Sequence, residues 1–295
     1  MANASDSNVI TREYFDSILL RSRYIDADLP DLKTTIFGKT FSTPLTTAAL
    51  SHLKGTHPNG MAELALAAKL SDAVNFCGME SYEGELCDIV KAGASTIRII
   101  KPHANDEDVF KRIEHAKKLG VFGMGMDIDH AFKNEGGYDV VEGLPMRPKT
   151  LSQMKEFVKA AGDIPFVVKG VLSVSDALKC VEMGAAGIVV SHHHGILPYA
   201  VPPIMALPDI KAAVGDKLTI FVDCGIESGL DAFKALALGA DAVCIGRAIM
   251  EPLKNGAESA AKKFAIMNGE LAAIMARTGY HSIDELDDSC LYIRK

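Results

Sequence analysis

The chain has 295 residues, 48% of them apolar and 23% charged, with a formal net charge of −7. That balance suits a globular protein with a large core. With no basic stripe and no tryptophan, it argues against a nucleic-acid partner. No apolar run reaches the roughly 18 residues that span a bilayer, and "MANASDSNVITREYF" lacks the basic-then-apolar order of a signal peptide. No membrane partner is expected. The six cysteines form no CxxC pair and read as reduced thiols of a cytoplasmic protein.

Residues 1–40 read as a lead-in segment. Short aliphatic runs then alternate with longer amphipathic stretches. The first four runs are "PLTTAAL" (44–50), "AVNFC" (73–77), "TIRII" (96–100) and "VFGMGMD" (121–127). The next four are "PFVVKG" (165–170), "AGIVVS" (186–191), "LTIFVD" (218–223) and "DAVCIG" (241–246). Continuous runs of this length suit strands covered on both faces, as in a parallel sheet. Helical patterns lie between them, among them "EDVFKRIEHAKKLG", "SVSDALKCVEMG" and "SGLDAFKALALG". Several open on Ser, Asp or Asn and close on Gly, which are caps. Eight such units in series predict an α/β fold, a (β/α)8 TIM barrel over residues 41–277 with a tail over 278–295. A doubly wound open sheet is the alternative, with fewer strands.

Barrel chemistry sits at the C-terminal strand ends. Those ends hold Cys77, Lys101 with His103, Asp127, Lys169, His192 to His194, Asp223 to Gly225, and Gly246 with Arg247. After strands seven and eight, "DCGIESG" and "IGRAIM" combine small residues with an arginine fork, a pattern suited to phosphate. Lys169 ends an apolar strand, where an unpaired buried charge would be expensive. It reads either as a Schiff-base lysine or as a cation beside a flavin.

The stretches "PFVVKGVLSVSDALKCVEMGAAGIVVSHHHG", "VPPIMALPDI" and "IFVDCGIESGLDAFKALALGADAVCIGRAIM" resemble the FMN-dependent α-hydroxy-acid oxidases and dehydrogenases, the glycolate and lactate oxidase group. "TTIFGKTFSTPLTTAA", "DAVNFCGMES", "TIRIIKP" and "GMGMDID" extend the resemblance through the first half. It implies FMN as cofactor, a small-molecule 2-hydroxy acid or related alcohol as substrate, and a homo-oligomer, commonly a tetramer. By position, Lys169 matches the lysine beside the flavin N1 and O2, and Ser191 a flavin-contacting serine. His193 matches the catalytic base and Asp127 its supporting carboxylate. Asp223, Gly225, Gly246 and Arg247 match phosphate-loop positions. Ala49, Cys77, Lys101 and Gly125 fall at further flavin-contact positions.

The chain departs from that family where the substrate binds. Ile196 stands at the position of the arginine that clamps the substrate carboxylate. His192 and His194 flank the base where the family has Asn and Gly, His103 replaces a substrate-binding tyrosine, and Glu227 replaces a phosphate arginine. Lys101, Lys133 and Arg147 are the candidates to replace the lost cation, with Lys101 ranked first. His103, His192, His194, Ile196 and Lys133 are therefore the expected substrate contacts. His52 and His130 are expected at the barrel mouth. No usual metal-ligand spacing is present, so no metal is expected. The alternative activity is a flavin-dependent isomerase or a non-redox barrel enzyme acting on a phosphorylated substrate.

Overall fold

The computed structural model describes residues 5–80 and 84–294. Helix α1 (Ser7–Ser17) opens the chain, capped by the Asp6 carboxylate, which accepts the Asn8 amide at 2.9 Å. Strand β1 (Ile18–Leu20) follows, then the antiparallel hairpin of β2 (Thr34–Ile36) and β3 (Lys39–Phe41). The first half of the barrel is β4 (Leu45–Thr47), α2 (Gly60–Leu70), β5 (Val74–Cys77), α3 (Glu85–Lys91), β6 (Ser95–Ile100), α4 (Asp106–Leu119) and β7 (Gly123–Asp127). A small hairpin, β8 (Val140–Val141) and β9 (Leu144–Pro145), precedes α5 (Leu151–Ala161). The second half is β10 (Phe166–Val171), α6 (Val174–Glu182), β11 (Gly187–Val190), α7 (Pro203–Val214), β12 (Thr219–Val222), α8 (Gly229–Ala237) and β13 (Ala242–Ile245). Helices α9 (Arg247–Leu253) and α10 (Ala257–Thr278) and strand β14 (Leu291–Ile293) complete the order.

The eight predicted runs are the eight strands of one parallel sheet, ordered β4-β13-β12-β11-β10-β7-β6-β5. The ring closes between β4 and β5. The Phe76 amide donates to the Thr47 hydroxyl at 2.7 Å, and Leu50 bridges to Cys77. This is the (β/α)8 TIM barrel.

Alternation along each strand sorts its side chains. Val168, Ile188, Val190, Ile220, Val222 and Val243 face the helices, while Phe76, Ile97, Ile99, Val167, Val189 and Phe221 fill the barrel. Continuing the inward set by two residues gives Lys101 after Ile99, Lys169 after Val167, Ser191 after Val189 and Asp223 after Phe221. Strand periodicity alone therefore carries polar groups to the upper rim.

The lower end is plugged by the β2–β3 hairpin. Phe37 and Phe41 lie 6.1 Å and 5.8 Å from Phe122, and Phe37 lies 6.1 Å from Phe221, centroid to centroid. At the other end α1 lies across the loops that follow β11, β12 and β13. Strand β1 pairs antiparallel with β14, which ties the lead-in to the tail.

Candidate active site

A cavity of about 530 Å³ opens at the C-terminal strand ends, within the ordinary range of ligand pockets. Ala49, Lys101, Lys169, His193, His194, Asp223, Gly225, Gly246 and Arg247 line it, together with His52 and His130.

Its floor is an ion-pair cluster. Lys101 Nζ donates to Asp127 Oδ2 at 2.7 Å, and Lys169 Nζ lies 3.6 Å from Asp127 Oδ1. Burial by itself would raise the Asp127 carboxyl, but the charges of Lys169, His193 and Lys101 hold it well below the usual range. Lys169 shows the converse. Burial would lower its ammonium, and Asp127, Asp223 and Asp129 raise it.

His193 stands over this cluster. Its Nδ1 lies 2.7 Å from Asp129 Oδ1, 3.3 Å from Asp127 Oδ1 and 3.2 Å from Lys169 Nζ. Burial opposes the charged imidazole, yet the two carboxylates raise it to about 9. Asp129 is pushed up to about 6 by its burial and by the Asp127 charge. The His130 ring meets His193 edge-on at 4.4 Å, with its Nδ1 3.2 Å from Asp139. Asp127, His130 and His193 offer ligand atoms within 4.8 Å of one another. Two ammonium groups already neutralise Asp127, so the trio reads as part of the ion-pair cluster.

The three consecutive histidines have three separate contacts. His192 is buried, accepts the Gly195 amide on Nδ1 and lies 2.8 Å from the Thr11 hydroxyl through Nε2. His194 pairs with Asn8 at 2.8 Å, and Asn8 also accepts Arg247 at 3.2 Å. Only His193 turns to the ion-pair cluster. The turn needs left-handed backbone at His193 (φ 47°) and His194 (φ 57°), which few non-glycine residues adopt. Ser191 Oγ holds it by accepting the His193 amide at 3.0 Å.

Several of the expected contact residues lie off the cavity wall. Ser191 braces the turn, and His192 anchors α1, so neither lines the cavity. His103 is 1% exposed and roofed by the segment after β9, where it bridges to Met146. Cys77 is buried in the β4–β5 closure, and its thiol is pushed up to about 11 by that burial. Gly125 packs on β10, where a Cβ would lie 1.8 Å from the Val167 carbonyl oxygen. That close approach needs a glycine at this point of the strand. Ile196 lies off the cavity wall, on the turn its amide closes onto the His192 carbonyl. Lys133 sits in an exposed turn closed onto Gly137, also off the wall. Arg147 stacks on Tyr138, 3.3 Å from the ring centroid.

Two residues of the cluster depart from the sequence expectation. Asp129 has no place in it, and His130 is expected only at the mouth. "DID" carries the signal, because residues two apart at a strand end share a face.

The description "FMN-dependent dehydrogenase" belongs to the family whose pattern matches residues 2–161 and 150–293. The chain belongs to that family.

A peroxisomal (S)-2-hydroxyacid oxidase of Arabidopsis thaliana is 31% identical over 309 residues, covering 92% of this chain and 84% of that one. Glycolate oxidase of Spinacia oleracea is 29% identical over 316 residues, covering 94% and 85%. A mandelate oxidase structure superposes with a TM-score of 0.89 at 27% identity, covering 99% of this chain and 92% of its own. As an FMN-dependent dehydrogenase, the protein uses FMN as its cofactor. The cavity fits that group. It has small residues at Ala49, Gly225 and Gly246, the Arg247 guanidinium beside the β13 loop, and a buried ammonium at Lys169.

Proposed function

We propose that this FMN-dependent dehydrogenase oxidises a small 2-hydroxy acid to the 2-oxo acid, with His193 as the base. The observation that carries the reading is His193 Nδ1, engaged by carboxylates while the ring lines the cavity. That leaves Nε2 as the nitrogen that takes a substrate proton, and the carboxylates behind it stabilise the imidazolium. The substrate loses two electrons and two protons as its C–OH becomes C=O, and one of those protons goes to His193. When bound, FMN would supply the acceptor for both electrons and, with them, the second proton.

Lys101 replaces the missing carboxylate clamp. Its ammonium is fixed on Asp127 at 2.7 Å and lines the cavity, leaving other N–H donors for an anion. Supporting the substrate class, the curated relatives are named for glycolate and (S)-2-hydroxy acids, and a solved mandelate oxidase variant holds (S)-mandelic acid. By the family resemblance we also assign a homo-oligomer, to be read by light scattering. Six free cysteines support a reducing compartment such as the cytoplasm, which localisation of a tagged chain would test.

The test is anaerobic bleaching of the FMN-loaded protein with a panel of 2-hydroxy acids. His193→Ala should keep its flavin spectrum and slow bleaching by about 10²–10⁴-fold. Bleaching at the parent's rate would remove His193 from the base role.

A further inference from the structure

Two carboxylates approach the same nitrogen of His193, and they are not equivalent. Asp127 Oδ2 is taken by Lys101 at 2.7 Å, and Asp127 Oδ1 lies 3.3 Å from Nδ1 without forming a hydrogen bond among the described residues. Asp129 Oδ1 lies at 2.7 Å, a hydrogen-bond distance for a charged pair. A third group competes. Lys169 Nζ stands 3.2 Å from the same Nδ1.

The two contacts exclude each other. An ammonium has only donors, so Lys169 bonds Nδ1 only when that nitrogen carries a lone pair, which puts the neutral ring's proton on Nε2. The ionised Asp129 only accepts, so it bonds Nδ1 only when the proton sits there. A base acting through Nε2 requires the second arrangement. We propose that Asp129 is a positioning residue that holds the His193 proton on Nδ1 against Lys169, leaving Nε2 as the basic nitrogen.

The chain makes room for this contact. Asp129 is nearly buried, lying against Gly170 directly after Lys169. A Cβ at Gly170 would come within 2.6 Å of Asp129 Oδ2, and Gly170 itself has φ +92°. The Ile128 amide donates to the Lys169 carbonyl at 2.9 Å, which fixes the approach. Asp129 Oδ2 has no hydrogen-bond partner among the described residues, so the side chain is held by the histidine contact and by packing. The charged or titratable groups around His193 are Lys101 from β6, Asp127, Asp129 and His130 from β7 and its loop, and Lys169 from β10. Asp139 stands behind His130, and Asp223 acts on Lys169. Asp127 then serves chiefly to neutralise the two lysines.

The inference rests on His193 being the base, and the experiment separates the two claims. FMN-loaded parent, Asp129→Ala and His193→Ala proteins are compared by anaerobic bleaching and by nitrogen NMR with ¹⁵N-labelled histidine. The His193 signal is assigned from its loss in His193→Ala. Asp129→Ala is expected to keep bound FMN, to bleach at least about 10²-fold more slowly, and to show the neutral His193 proton moved to Nε2. Bleaching within twofold of the parent, with the proton still on Nδ1, would overturn the assignment of Asp129. Fast bleaching by His193→Ala would instead overturn the base reading beneath it. Should Asp129→Ala fail to fold, Asp129→Asn keeps the shape without the charge. Its His193 titration midpoint should move down the pH scale by about 1–3, and an unmoved midpoint counts against the proposal.

Discussion

Lys101 and Lys169 show how one residue's worth depends on what it is paired with. Both ammonium groups meet Asp127, and that pairing makes two buried lysines tolerable at the end of apolar strands. Under the proposed function, Lys101 also takes the substrate carboxylate in place of the guanidinium missing at Ile196. Replacing it by methionine should raise KM for 2-hydroxy acids by about 10- to 100-fold, the equivalent of roughly 1.5–3 kcal/mol for hydrogen bonds to a charged group. The matching 2-hydroxy amides should change little. Steady-state kinetics on acid and amide pairs decide this, and equal losses on both would remove Lys101 from carboxylate binding. The three histidines make the same point. His192 and His194 hold α1, and His193 between them meets the ion-pair cluster.

At the scale of elements, the decisive contacts join segments distant in the chain. Helix α1 reaches the β11 loop through Thr11 and Asn8 and the β12 loop through Gly225. Arg12 pairs with Asp231 at 2.9 Å, and Lys234 donates to the Phe15 carbonyl at 2.8 Å. Gly225 has φ +86°, and a Cβ there would meet Phe15 at 2.8 Å and Thr11 at 2.9 Å. Gly225→Ala should therefore lift α1 at a cost of about 1–3 kcal/mol, typical of overpacking. Limited proteolysis should then cut near residues 5–20 faster than in the parent, and unchanged cleavage would show that the loop absorbs the methyl group. The β8–β9 hairpin acts similarly from the other side. Val141 lines the cavity, and Glu142 lies 3.3 Å from His52.

For the whole molecule, the shifted histidines contribute to the pH dependence of stability. His103 is lowered to about 4 by burial and then by Arg112, and His130 to about 4 by burial and then by Lys101 and His193. A base whose folded value is lowered contributes stability above its unfolded value, and that stability is lost as pH falls toward the folded value. His193 runs the other way. Raised to about 9 by its carboxylates against the opposing effect of burial, it stabilises below about 6.5 and loses that contribution as pH rises through about 9. The melting temperature of the FMN-loaded protein should peak between these limbs. His103→Gln should flatten the acid limb between about pH 6.5 and 4, where each tenfold change in proton affinity is worth roughly 1.4 kcal/mol. An acid limb identical to the parent's would exclude His103 from it.

The eight strands, and the polar residues that close their inward faces, were determined by sequence alone. Burial on both faces demands continuous apolar runs, and a period of two is a local property of the backbone. Lys101, Asp127, Lys169 and Asp223 were legible for that reason. The residues just past the strand ends were not. His103, Ile196, Lys133 and His192 left the cavity, while Asp129 and His130 entered the charged cluster. Their directions depend on a left-handed turn at His193 and His194, a roof laid by the β8–β9 segment, and a helix docked from the far end of the chain. The roof and the docked helix are contacts between segments far apart in sequence, which no local periodicity encodes, and only Asp129 had a local signal in its spacing of two from Asp127.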